Sequence, residues 1–236
     1  RRLKVATADE SRLEGIGDMG NGTLSINTIR TLLNSEQREL TAIKDNLATK
    51  TDSAQIKTIA SSIDGRYGKD QAIHQIALLV SDIDSQNQFS THISSVGKSI
   101  QDIINAAKAQ GKDHVNSGAG GLIPLSAVQT NKDRLIGKLG TNQQIINSAI
   151  VMVTNELTTD LTGQAPTNAT IFSQLTLSQS TLENIGTGLS QLSNLITGGL
   201  VGAGYCGVAA NCNGQTNASV ITDCGIFSNC TGSTNA

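Results

Sequence analysis

Between Ile73 and Ala107 apolar residues return every three or four positions: Ile73, Ile76, Val80, Ile83, Phe89, Ile93, Val96, Ile100, Ile103 and Ala107. One polar interruption falls at Gln86–Asn87. This spacing draws a single stripe along an α-helix, a rod of roughly 50 Å at 1.5 Å per residue. A rod of that kind cannot cover its own stripe, so the remaining elements are read as its partners.

Residues 1–23 mix charges with Gly15, Gly17, Gly20 and Gly22 and read as an extended N-terminal arm. A helix is predicted to open at Ser25. Ile26, Ile29, Leu33, Leu40, Ile43 and Leu47 keep a heptad spacing, with Glu36 and Lys50 in two seam positions. The phase shifts at Thr51-Asp52-Ser53, as a stutter in one long helix or a break between two would make it; Ile56, Ile59 and Ile63 carry the pattern on, and one helix over about 25–63 is the expected reading. The turn signal Asp64-Gly65-Arg66-Tyr67-Gly68 makes this helix an antiparallel neighbour of the next, about 70–110.

Residues 111–124 read as a glycine-rich crossover loop. A third helix, about 125–162, carries Leu125, Val128, Leu135, Leu139, Ile146, Ala149, Val153 and Leu157. Gly137 and Gly140 weaken it by about 1 kcal/mol each relative to Ala, or permit a close helix crossing. Pro166 separates it from a fourth, about 168–197, with the most regular heptad: Ile171, Leu175, Leu182, Ile185, Leu189, Leu192 and Ile196. The predicted fold is all-α: an antiparallel bundle of about four long amphipathic helices over 24–197, followed by a small, partly β or irregular tail.

That tail, 198–236, is rich in Gly and Cys and contains a repeat. Cys206-Gly-Val-Ala-Ala-Asn-Cys212 is answered by Cys224-Gly-Ile-Phe-Ser-Asn-Cys230. Zinc sites place paired ligands two to four residues apart and no His lies nearby, so disulfides are expected at Cys206, Cys212, Cys224 and Cys230, with connectivity open. Disulfides imply an oxidising compartment.

Composition narrows the core. With no Trp, two Tyr and three Phe, it must be filled by aliphatic side chains, which suits narrow helix–helix seams. The net charge of −2 hides an asymmetry: every Lys and Arg lies at or before Lys138. Beyond it the only charges are Glu156, Asp160, Glu183 and Asp223. A face without charge is suited to burial between subunits or against a membrane, because desolvating charge is costly. Leu182, Ile185, Leu189, Leu192, Ile196, Leu200 and Val201 are the candidate assembly residues. The chain opens on Arg1 rather than Met and is read as a processed or trimmed product.

Candidate chemistry is thin. Val96-Gly97-Lys98-Ser99 resembles the end of a phosphate-binding loop, but His92 stands where that loop needs Gly. His74, His92 and His114 are scattered; His74 and His92 are expected at solvated helix positions, and no carboxylate pair stands out as acid and base. No enzyme, cofactor or metal site is expected. Nucleic-acid binding is disfavoured because acids balance bases in the charged half and stacking aromatics are lacking. Sequons occur at Asn21, Asn168, Asn217 and Asn229, candidate glycosylation sites at about the number chance supplies. Residues 117–128 and 195–210 combine Gly with small apolar side chains and are candidate membrane contacts.

The expected function is a non-enzymatic extracellular or virion-surface structural protein, a homo-oligomer that self-assembles as a fibre, coat or sheath subunit through its uncharged C-terminal half. The alternatives are a membrane-active helical protein, such as a viral fusion subunit or pore former, and a secreted helical binding module or inhibitor.

Overall fold

The protein, seen in a computed structural model, is described over residues 1–117, 121–159 and 165–202. It is mostly helical. Six helices lie in the described residues: α1 (Arg2–Arg12), α2 (Ile26–Ala48), α3 (Ser53–Gly65), α4 (Tyr67–Ala109), α5 (Leu125–Thr158) and α6 (Ala165–Gly198). Three short strands accompany them: β1 (Lys112–Asn116), β2 (Leu122–Pro124) and β3 (Leu200–Gly202). The chain forms two compact units. Unit 1 comprises Arg1–Gln88 and Asn142–Ser180, unit 2 Phe89–Thr141 and Thr181–Ala236.

In unit 1, residues 2–12 are a helix and not the expected arm. The inward face of α1 is made by Ala6 and Asp9 and continued by Leu13. An acid replaces an apolar residue at the middle position, so the periodicity is invisible to a hydrophobicity reading. The chain then turns through Gly15, Gly20, Asn21 and Gly22, all at positive φ. Gly20 is required there: a Cβ on it would lie 2.9 Å from Ile150 Cγ2, on a backbone that L side chains rarely adopt. The Asp18 carboxylate accepts from the Ile26 amide at 2.7 Å and caps α2 in place of Ser25. Gln37 donates to the Ala6 carbonyl and to Glu10, while Arg30 donates to the Leu13 carbonyl, so α2 runs back along α1.

The expected single helix over 25–63 is two helices. α2 ends with Thr49 as its C-cap, and Asp52 accepts from the Ala54 amide to start α3. The phase shift at Thr51–Ser53 is therefore a break with its own cap, not a stutter. Upstream, Ile26, Ile29, Leu33, Glu36 and Leu40 are buried; α3 has no buried residue.

The first part of α4 buries Ile73, Ile76, Leu79, Val80 and Ile83 in unit 1, where α5 contributes Ile146, Ala149, Ile150 and Val153. The polar interruption noted at Gln86 sits inside this core. Gln86 Nε2 donates to the Leu175 carbonyl at 3.0 Å, the Ser178 hydroxyl donates to Gln86 Oε1, and Asn142 Nδ2 donates to Ser178 at 2.9 Å. Gln86 and Ser178 are fully buried. Their pairing makes them tolerable in an aliphatic seam and fixes its register. Asn168 meets Gln75 as Ser178 meets Gln86, so α6 runs parallel to α4 in this unit.

In unit 2, Ile93, Ile100, Ile104 and Ala107 of α4 are buried, with Leu125, Val128, Leu135 and Leu139 of α5 and Leu182, Ile185, Leu189 and Ile196 of α6. Ile104, not Ile103, takes the inward place, as a 3.6-residue period requires after Ile100. Close approaches fall on other glycines than expected. A Cβ at Gly137 or Gly140 would meet nothing, whereas one at Gly97 would stand 2.5 Å from Ile136 Cδ1 and one at Gly188 3.0 Å from Leu135 Cδ1. Gly97 faces Ile136 and Gln101 faces Gln129, so α4 and α5 are antiparallel here.

The predicted loop 111–124 contains two strands in a sheet ordered β2-β1-β3, both pairings antiparallel. His114 pairs with Pro124 on one side and Val201 on the other. Val115 is fully buried, and the Asn116 amide bonds to the Gly199 carbonyl at 2.9 Å.

Candidate functional site

The densest polar chemistry in unit 1 lies where α1 covers α2 and the start of α4. A cleft of 440 Å³ opens there, with apolar walls from Val5, Ala6, Leu33, Leu40 and Ile73 and polar groups from Arg2, Asp9, Glu36, Asp70 and His74. Its volume falls in the range of small-molecule sites. Its polar groups, however, are spent largely on one another. Arg2 reaches Asp70 at 3.3 Å and lies 5.0 Å over the centre of the Tyr67 ring, adding a cation–π contact. Asp9, almost wholly buried, bonds His74 Nδ1 at 2.8 Å and Arg12 at 2.5 Å. His74 is thus half-buried and paired, a correction to its expected solvated position.

Glu36 is the central group. Its carboxylate meets Arg66 at 3.0 Å, and the same guanidinium holds Glu39. Glu36 Oε1 and Asp70 Oδ1 are both buried without a hydrogen-bond partner. Burial first, and the neighbouring Asp70 second, raise Glu36 from 4.5 to about 7 against the opposing pull of Arg66. Glu39, exposed and bonded to Arg66, is lowered.

A carboxyl whose folded pKa exceeds its unfolded value gives stability that is complete below the unfolded value and lost as pH rises through the folded one. Unit 1 should therefore unfold more readily at pH 8.5 than at pH 5.5, by on the order of 2 kcal/mol. Glu36→Gln, which supplies a permanent hydrogen-bond donor, should flatten that dependence. Urea titrations of both proteins at the two pH values check this. An unchanged slope with pH in Glu36→Gln would assign the dependence elsewhere.

Among the described residues that line the cleft there is no Ser, Thr, Cys or Lys. Its arrangement can hold and exchange a proton near neutrality and fasten α1 in place. Among the described residues, no group of three or more His, Cys, Asp or Glu side chains is placed to hold a metal ion. Unit 2 has a second groove of 440 Å³ between Phe89, His92, Ile93 and Val96 of α4 and Glu183, Gly186, Leu189 and Asn194 of α6. Gly186 lies on its floor, where an added Cβ would come into ordinary contact with the Phe89 ring at 3.4 Å. His92 is exposed at its rim, and His114 bonds its neighbour Asp113 on β1.

The residues singled out from sequence fall as follows. Leu182, Ile185, Leu189 and Ile196 are at most 1 % exposed within unit 2 and serve the chain's own core, so they are withdrawn as contacts to a neighbour. Their heptad is satisfied by α4 and α5. Leu192 and Leu200 are half-buried, and Val201 lies in β3. Asn168 is 2 % exposed and its amide donates to Gln75 at 2.7 Å, so that sequon is not presented for modification. Asn21 is exposed on its turn. Cys206, Cys212, Cys224, Cys230, Asn217 and Asn229 lie outside the described residues. Of the candidate membrane stretch 117–128, Leu125 and Val128 are buried and Leu122 is 38 % exposed; 118–120 lie outside the described residues, as do 203–210 of the other stretch. No helix among the described residues is long and apolar enough to cross a membrane.

The ion cluster was not legible beforehand. The one available signal was Glu36 itself, an acid in a seam position. Comparison with family models, with curated proteins and with solved structures returns no match for this chain.

Proposed function

We propose that this chain is a non-enzymatic structural subunit that self-assembles, as a fibre, coat or sheath component at an extracellular or virion surface. The observation that carries the reading is α6: 34 residues with one charged side chain, Glu183. Its outward positions in unit 1 include Thr170, Ser173, Thr176, Leu177 and Ser180, and in unit 2 Asn184, Thr187, Ser190, Gln191 and Asn194 are among those that accompany Glu183. Leu177 is 63 % exposed, more than any other large hydrophobic among the described residues. A helix ordinarily marks its solvent face with Lys, Glu and Arg. A face of Thr, Ser, Asn and Leu costs less to desolvate than a charged one, and its hydroxyls and amides can bond across a contact with another like it. The oxidising location rests on the four cysteines of the tail.

The ion cluster fits the same role. It closes charge upon charge inside unit 1, tying α1 and the Arg66 turn to α2 and α4.

Sedimentation velocity over a wide concentration range tests the proposal. The wild-type chain should associate. Leu177→Lys should keep its helical circular dichroism, because the position is exposed, and weaken association about tenfold or more. A wild-type chain that stays monomeric throughout would remove the proposal.

A further inference from the structure

The α2–α3 hairpin is the one described part of unit 1 whose apolar stripe finds no core. Burial along α2 stops at Leu40, yet the seam spacing continues through Ile43 and Leu47 and resumes on α3 at Ile56, Ile59 and Ile63. No side chain from 41 to 65 is buried; Leu47 is 41 % and Ile56 39 % exposed. Ile43, Ile59 and Ile63 are only half-buried, and a 13-residue helix with no buried side chain is marginal in water. Its retention as a capped helix with an unbroken aliphatic seam points to a partner.

The chemistry of the hairpin selects that partner. Three Lys (44, 50 and 57) face three Asp (45, 52 and 64) over residues 41–65, and no aromatic is present. A lipid surface favours helices with basic excess and bulky interfacial anchors, and nucleic acid favours net positive charge. Balanced charge of both signs beside a narrow Ile/Leu seam is self-complementary, as a two-fold contact between identical surfaces demands. An open assembly also needs two distinct contacts per subunit, and the α6 face supplies only one.

We propose that the α2–α3 hairpin packs against the same hairpin of a second copy, closing an intermolecular four-helix contact around Ile43, Leu47, Ile56, Ile59 and Ile63. This rests on the self-assembly reading and names the second contact that it requires.

The test uses the full chain with Leu47→Lys and Ile56→Lys combined, and Leu47→Met with Ile56→Met as the conservative control. In sedimentation velocity the wild type and the Met variant should form assemblies beyond the dimer. The Lys variant should stop at small oligomers, with this step weakened about tenfold or more. Hydrogen exchange on the unaltered chain gives a readout independent of the variants: amide protection over 53–65 should rise with protein concentration. If the Lys variant assembles like wild type, or protection over 53–65 ignores concentration while assembly proceeds, the hairpin contact is overturned and self-assembly stands. A strictly monomeric wild type overturns both. Flotation of the wild type with phosphatidylcholine vesicles, lost in the Lys variant, would assign the hairpin to lipid and overturn the contact between copies.

Discussion

Arg66→Met should destabilise unit 1 by about 3 kcal/mol at pH 8, the cost of removing one partner from a buried ion pair. Arg66 holds Glu36 at 3.0 Å and Glu39 with the same guanidinium, and Glu36 is only 3 % exposed. Met fills much of the space but leaves Glu36 beside Asp70 without the cation that it bonds. Glu36 would then take its proton at a still higher pH than about 7. The loss should accordingly be smaller at pH 5.5, where Glu36 is already neutral in the wild type and the missing attraction matters less. Urea denaturation at the two pH values measures both quantities. An equal loss at each pH would mean that Arg66 contributes packing rather than charge compensation.

Leu189→Ala should cost 2–5 kcal/mol, about the range for truncating a fully buried Leu. Leu189 is 0 % exposed in unit 2. It belongs to the heptad that sequence spacing alone offers equally to another subunit. The two placements separate cleanly in experiment. If Leu189 serves the chain's own core, denaturant stability falls while association of the folded fraction stays the same. If it faced a neighbour, stability would hold and association would fall. Leu177→Lys should show the second pattern, and the pair of variants thereby distinguishes the inward and outward faces of one helix.

These outcomes bear on what the sequence can and cannot reveal. α4, α5 and α6 were legible because their cores are aliphatic and return every three or four residues; Gln86 was visible as a gap, though not as a buried hydrogen-bond hub. α1 was hidden because its inward residues are Ala6 and Asp9, and an acid is acceptable there through Arg12 and through His74, 65 residues away. The sheet was hidden for a related reason. β1 reads Lys-Asp-His-Val-Asn, with one apolar residue, and becomes a strand because β2 and β3 flank it. The break after α2 was marked by Thr51–Ser53, but only the cap made by Asp52 distinguishes a break from a stutter.

Glycine carried the same ambiguity. Gly137 and Gly140 face open space, while Gly97, Gly186 and Gly188 stand at contacts, and composition does not say which face a glycine occupies. The ion cluster depends on Arg2, Asp9, Glu36, Asp70 and His74 converging from three helices and on Arg66 at the α3–α4 junction, an arrangement that no local spacing encodes.

Electron microscopy of the purified wild-type chain, imaged at rising concentration, tests most directly whether the uncharged outward face of α6 is a contact between copies. Ordered arrays or filaments with α6 at the repeating contact, dispersed by Leu177→Lys, are the predicted result. Single separate particles at every concentration, or arrays in which α6 faces only solvent, would contradict it.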